Sequence, residues 1–167
     1  QSISNLMQYH TSENDVGSRT VVLPTLYGGE FGPDLDSVCT ITGLSQEDAV
    51  RIHSGSDYRV YALGFSPGFP YLGGLSEELH CPRLDSPRTE VPVGSVAIAG
   101  SQTGVYPVSS PGGWRLIGRT PIVLFDPYRT DPAIFRPGDH LRFVPIKSEK
   151  EFDEISNAVQ SNCYELE

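Results

Sequence analysis

The sequence predicts a mainly β protein: a closed or nearly closed barrel with a few short helices and a C-terminal helix. Two observations carry this. Short apolar runs recur along the chain at 21–27, 57–65, 91–100, 103–109, 114–119, 121–127 and 140–146, each bounded by Gly, Pro, Ser or Asp. The one long amphipathic segment is SEKEFDEISNAVQ, 148–160. The 167 residues, 38% of them hydrophobic, suit one domain with a sizeable core.

The elements follow in order. Residues 1–20 are polar and aperiodic, and read as a tail or the remnant of a missing upstream domain. They lack the basic start and apolar stretch of a signal peptide. VVLPTLY (21–27) reads as a strand, which Pro24 should confine to a sheet edge. DLDSVCTITGL (34–44) makes a short helix started by Asp34 or Asp36 and stopped by Gly43. Ser45 caps a second helix, with Glu47 and Asp48 in its first turn and Gly55 at its end. The pair resembles a helix-turn-helix, but the acidic second helix argues against DNA. DYRVYALGF (57–65) alternates as a strand, and the five later runs complete the barrel. Phe152, Ile155 and Val159 share one face of the last helix. The barrel domain therefore spans 21–147, with the helix and tail at 148–167.

Charge and composition narrow the function. A net charge of −9 with twelve scattered Lys and Arg excludes a nucleic-acid binder. No run of about 18 apolar residues exists, so no membrane span is expected. Cys39, Cys81 and Cys163 have no C-x-x-C spacing and read as reduced thiols of a cytoplasmic protein. The four histidines lack metal-ligand spacing, so no metal site is expected.

Three segments combine Gly and Pro with rings or polar groups: GFSPGFPYLGG (64–74), PRLDSPRTEVPVGS (82–95) and GSQTGVYPVSSPGGW (100–114). All lie at strand ends. Rigid loops there form the mouth of a barrel, where small-molecule pockets arise. In 64–74 the density of Gly and Pro argues against a strand. Its rings either wall a pocket or complete the core; the residues leave both open. Arg83 and Arg88 offer forks for a carboxylate or phosphate, or pair with Asp85 or Glu90. Gln102, Thr103, Tyr106 and Ser110 are candidate polar groups of the pocket. Trp114 reads more readily as core than as a wall. His53, near a helix end, reads as a charge complementing the helix dipole. No segment has the spacing of a phosphate loop.

YGGEFGPDL (27–35), GFSPGFPYLGG (64–74), PR…SPR…VPVGSVAIAG (82–100), QTGVYP (102–107), SPGGWRLIGRTP (110–121) and RPGDHLRF (136–143) occur in this order. Together they resemble the KipI family, known also by the names allophanate hydrolase subunit 1 and 5-oxoprolinase B subunit. The resemblance implies a cyclophilin-like β-barrel, the family's C-terminal domain, normally preceded by a smaller α/β domain. It implies a hydrolase component that works with two further proteins, a homologous C subunit and an A subunit, to open 5-oxoproline with ATP. The alternative is a KipI-like inhibitor that binds a sporulation histidine kinase. The family motifs gather Pro67, Gly68, Phe69, Pro70, Arg88, Gln102, Thr103, Tyr106, Ser110, Gly112, Gly113 and Trp114 around one concave face. His53, in Ile52-His53-Ser54, matches the family's Leu-His-Ser helix end and joins them. Arg88, Gln102 and Thr103 would donate to a carbonyl or phosphate. With no phosphate loop, ATP and its Mg²⁺ would be held largely by the partner. No catalytic residue is assigned, and the isolated chain is expected to be inactive.

Overall fold

The computed structural model describes residues 18–165; the expected tail or remnant at 1–20 lies almost wholly outside them. Among the described residues, nine strands and three α-helices follow in the order β1 (Thr20–Tyr27), α1 (Leu35–Thr42), α2 (Gln46–Ser54), β2 (Asp57–Leu63), β3 (Pro70–Gly73), β4 (Arg88–Val91), β5 (Ser95–Ala99), β6 (Gln102–Val105), β7 (Ser110–Gly112), β8 (Arg115–Arg119), β9 (His140–Pro145) and α3 (Glu149–Gln160). Seven strands form one sheet in the order β3-β2-β9-β1-β8-β5-β6. Its end strands, β3 and β6, lie side by side and bring the sheet round into a nearly closed barrel. β4 and β7 form a separate two-stranded ribbon.

The barrel interior follows from alternation. Tyr58 and Val60 of β2, Val96 and Ile98 of β5, and Leu141 and Phe143 of β9 point inward and are fully buried. β5 is buried along its whole length. Its other face, through Ala97, belongs to a second cluster with Phe69, Val91, Tyr106 and Leu116. A strand covered on both faces means that something packs outside the barrel there: the ribbon and the segment before β3.

The helices form where their caps predict. Ser45 accepts a hydrogen bond from the Asp48 amide at the start of α2, and Gly43 ends α1 at φ +76°. Ser148 caps α3 by accepting from the Glu151 amide. α3 lays Ile155 and Val159 on the barrel core and sets Phe152 against Phe31, with ring centroids 4.7 Å apart.

Four expectations need correction. β1 is interior, not an edge: it runs parallel to β9, from Thr20 opposite His140 to Thr25 opposite Pro145, and meets β8 at Leu26 and Tyr27. Pro24 is tolerated because the carbonyls of Arg19 and Thr25 face β9. With the two-residue period its nitrogen faces the other flank, where pairing with β8 has not yet begun. Residues 121–127 are not a strand. Ile122 and Leu124 are buried, but four prolines punctuate 121–137, and only an isolated Phe125–Ala133 bridge forms. Residues 70–73 are a strand despite the surrounding Gly and Pro, since Pro70 takes the first position of an end strand. The second and third Gly/Pro-rich segments contain β4 and β7.

Candidate functional site

A cavity of about 360 Å³ opens outside β5 and β6, and all three Gly/Pro-rich segments line it. The first contributes Phe65, Phe69 and Tyr71; the second Arg83 and Pro87; the third Gln102, Tyr106, Pro111, Gly112, Gly113 and Trp114.

Phe69 is the hub. It is buried, and its ring meets Phe65, Tyr71, Tyr106 and Trp114 edge-on at centroid distances of 5.5, 5.8, 5.6 and 5.7 Å. Aromatic rings favour this edge-to-face packing. Glycine makes room for it: a Cβ on Gly104 would stand 2.8 Å from Phe69 Cζ and 3.0 Å from Trp114 Cζ3. The turn into Phe69 is closed by the Gly64 amide bonding the Phe69 carbonyl and the Phe69 amide bonding the Ser66 carbonyl. Phe65 reaches the cavity rim at φ +66° with its ring two-thirds exposed. A non-glycine residue rarely adopts that conformation.

Gly112 bears on the cavity shape most directly. A Cβ there would stand 2.5 Å from the Tyr106 hydroxyl, and Tyr106 is too buried to swing away. Gly112→Ala should cost about 1–3 kcal/mol of stability by overpacking and should shift Trp114 fluorescence. An unchanged urea midpoint and spectrum would contradict the assignment.

Polar chemistry at the rim is sparse. The Arg83 guanidinium sits 6.0 Å from the Trp114 ring centroid and makes no hydrogen bond or ion pair among the described residues. The Gln102 side chain is likewise unpartnered and exposed. Burial pushes the Tyr106 phenol up, with Arg83 and the Trp114 amide partly opposing. Among the described residues no group of His, Cys, Asp and Glu is arranged to hold a metal.

Several expected site residues lie elsewhere. Arg88 pairs with neither Asp85 nor Glu90 but forks onto Asp34, with both nitrogen–oxygen distances 2.8 Å. Asp34 also accepts the Leu116 amide at 2.7 Å, so the pair binds the ribbon to the start of α1 and to β8. Arg88 therefore braces the wall from behind. Thr103 faces the barrel interior because β6 alternates: Gln102 and Gly104 look toward the cavity, Thr103 and Val105 inward. Gly68 and Pro70 are buried beside Phe69, Pro67 is exposed, and Ser110 flanks the lining residue Pro111. Trp114, expected as core, is a half-buried wall.

His53 is no helix-end cation. It is fully buried, with Tyr27 Oη 2.7 Å from Nδ1 and Thr103 Oγ1 2.9 Å from Nε2. Thr103 donates its own hydrogen to the Ala97 carbonyl. His53 Nε2 is therefore the donor to Thr103, and Nδ1 accepts from Tyr27. Burial lowers its pKa to about 3, so the ring is neutral.

The sequence reading offered Arg83 as a fork and the rings of 64–74 as a possible wall, but it missed Pro87 and Pro111 as lining residues. All lie within the three segments it singled out; the strand register that selects among them is not a local property.

Comparison with known proteins fits this architecture. The family model for the carboxyltransferase domain, subdomain C and D, matches residues 1–135. The chain belongs to that family. This carboxyltransferase-type chain is 54% identical over 138 residues to the 5-oxoprolinase B subunit of Bacillus subtilis, covering 83% of this chain and 57% of that one. It is 56% identical over 130 residues to the 5-oxoprolinase B subunit of Escherichia coli O157:H7, covering 78% and 60%. It thus spans about three-fifths of the length of these curated relatives. Among solved structures, the conserved uncharacterized protein PH0987 from Pyrococcus horikoshii superposes with a TM-score of 0.77 at 56% identity, over 80% of this chain and 62% of that one. The Kluyveromyces lactis urea amidolyase shares the fold, with a TM-score of 0.76 at 21% identity over 90% of this chain and 11% of that one. Among the described residues no helix is long and apolar enough to cross a membrane.

Proposed function

We propose that this carboxyltransferase-type domain serves as the B component of an ATP-dependent 5-oxoprolinase, working with a homologous C component and with an A component. The observation that carries the reading is its 49–56% identity to three chains named as 5-oxoprolinase B subunits. The aromatic cavity supports it, being of a size and lining suited to a small organic substrate.

The cavity alone does not fit the nucleotide. Its lining carries one cation, Arg83, and no carboxylate, whereas a triphosphate with Mg²⁺ calls for several cations and oxygen ligands. In this reading ATP is bound by the partner, and the present chain supplies a walled site for the cyclic amide. The C component would dock on the exposed rings at the cavity, Phe65 and Tyr71. Phe69 is not an anchor of that interface, because it is buried in the chain itself; nor is Arg88, because Asp34 holds it.

Reconstitution tests this. Mixed with the A and C components, the protein should release glutamate from 5-oxoproline only when ATP is present, and alone it should release none. Turnover by the isolated chain, or none from the full set, would refute the proposal.

A further inference from the structure

We infer that Arg83 is the carboxylate anchor of the cavity and that the ligand is a small, flat ring acid. The inference rests on the 5-oxoprolinase reading for the choice of 5-oxoproline as the probe. It rests on the cavity for the chemistry.

The walls are rings, which suit a flat apolar body. Five aromatic side chains line the space, and the hub ring Phe69 is anchored from below. Such a box alone would also suit a cation, through the faces of its rings. Arg83 decides between the two. Its guanidinium lies over Trp114 with no carboxylate beside it, and no acidic residue is among the lining residues. A cationic ligand would meet like charge there; an anionic one would meet an unpaired fork. Arg88, the other arginine of the same segment, is excluded because both its terminal nitrogens are committed to Asp34. The approach to Trp114, 6.0 Å from guanidinium carbon to ring centroid, uses none of the Arg83 hydrogens and leaves them free to donate. The unpartnered Gln102 amide, on the same cavity, offers a donor and an acceptor to a ring amide. The cavity is larger than one such molecule, and the remainder opens at Phe65, where a partner chain would close it.

The experiment uses the whole chain, titrated with L-5-oxoproline and with 2-pyrrolidinone, which has the same ring amide and no carboxylate. Binding is followed by chemical-shift changes of the Trp114 and Gln102 side chains. The wild-type protein should prefer the acid. Arg83→Gln should weaken the acid roughly tenfold to a hundredfold, the size of a charged hydrogen bond, and leave 2-pyrrolidinone unchanged. Arg83→Lys should recover only part of the loss, because a point charge does not replace the fork. Equal affinity for the two compounds, an acid affinity untouched by Arg83→Gln, or no shift at either side chain would overturn the inference. The wider reading fails separately. If the reconstituted set does not hydrolyse 5-oxoproline while Arg83-dependent binding of the acid persists, the anchor stands and the enzyme assignment falls. If the set hydrolyses 5-oxoproline with a KM unmoved by Arg83→Gln, the anchor falls and the assignment stands.

Discussion

Asp34→Ala should lower the unfolding free energy by about 3 kcal/mol, the lower end of the range for breaking a buried ion pair. Asp34 caps no amide of its own helix. Its carboxylate is spent on Arg88 and on the Leu116 amide. Removing it strands the Arg88 charge beside the cavity wall and leaves a buried amide without a partner. The lower end applies because the Arg88 side chain is 29% exposed and water relieves part of the cost. Asp34→Asn, which still accepts from Leu116, should lose less. Urea unfolding measures both, and Trp114 fluorescence should report loosening of the ribbon in each. A loss below about 1 kcal/mol, the size of an ordinary surface ion pair, would show that the pair does not brace the wall.

Acid should find a second weak point at His53. Its ordinary pKa is 6.5, and burial holds it at about 3 in the folded protein. The unfolded chain therefore takes up a proton near pH 6.5 that the folded chain refuses until near pH 3. Stability is complete above about pH 6.5, falls as the pH drops through that window, and levels off below it. The slope is about 1.4 kcal/mol per pH unit, so the full window amounts to several kcal/mol. His53→Gln cannot titrate and should remove this slope between about pH 6.5 and 5, before carboxylates add theirs. It should also start less stable near pH 7, since one amide cannot reproduce the geometry linking Tyr27 and Thr103. Parallel pH profiles for the two proteins would assign the acid sensitivity elsewhere.

Both residues mark the limit of what the sequence makes legible. Local signals work where the cause is local. Ser45 and Gly43 predict helix ends, and the alternation of Tyr58 and Val60 predicts an inward face. The three Gly/Pro-rich segments, placed at strand ends, predict one cavity, and they do line one, although it lies outside β5 and β6 rather than at the barrel mouth. Partnerships across the chain leave no such trace. Arg88 finds its carboxylate 54 residues away, and His53 finds Thr103 50 residues away. Two residues that looked like ligand contacts are thus structural, while Arg83 is left facing the cavity. The apolar run at 121–127 misled for a related reason. Burial of Ile122 and Leu124 requires apolar side chains but no strand ladder, and hydrophobicity alone cannot tell the two apart.

The parallel pairing of β1 with β9 also sets a clock. Thr20 and His140 are neighbours in the sheet, yet a ribosome makes about 5–20 residues per second. β1 therefore waits roughly 6 to 24 s between its own synthesis and that of its partner at that rate. Until β8 and then β9 follow, VVLPTLY is an apolar segment with open edges, the kind that pairs with whatever strand arrives first. Pro24 removes one donor from its centre. Pro24 leaves the ladder to β9 intact while withholding a donor from any strand that would add on the other flank.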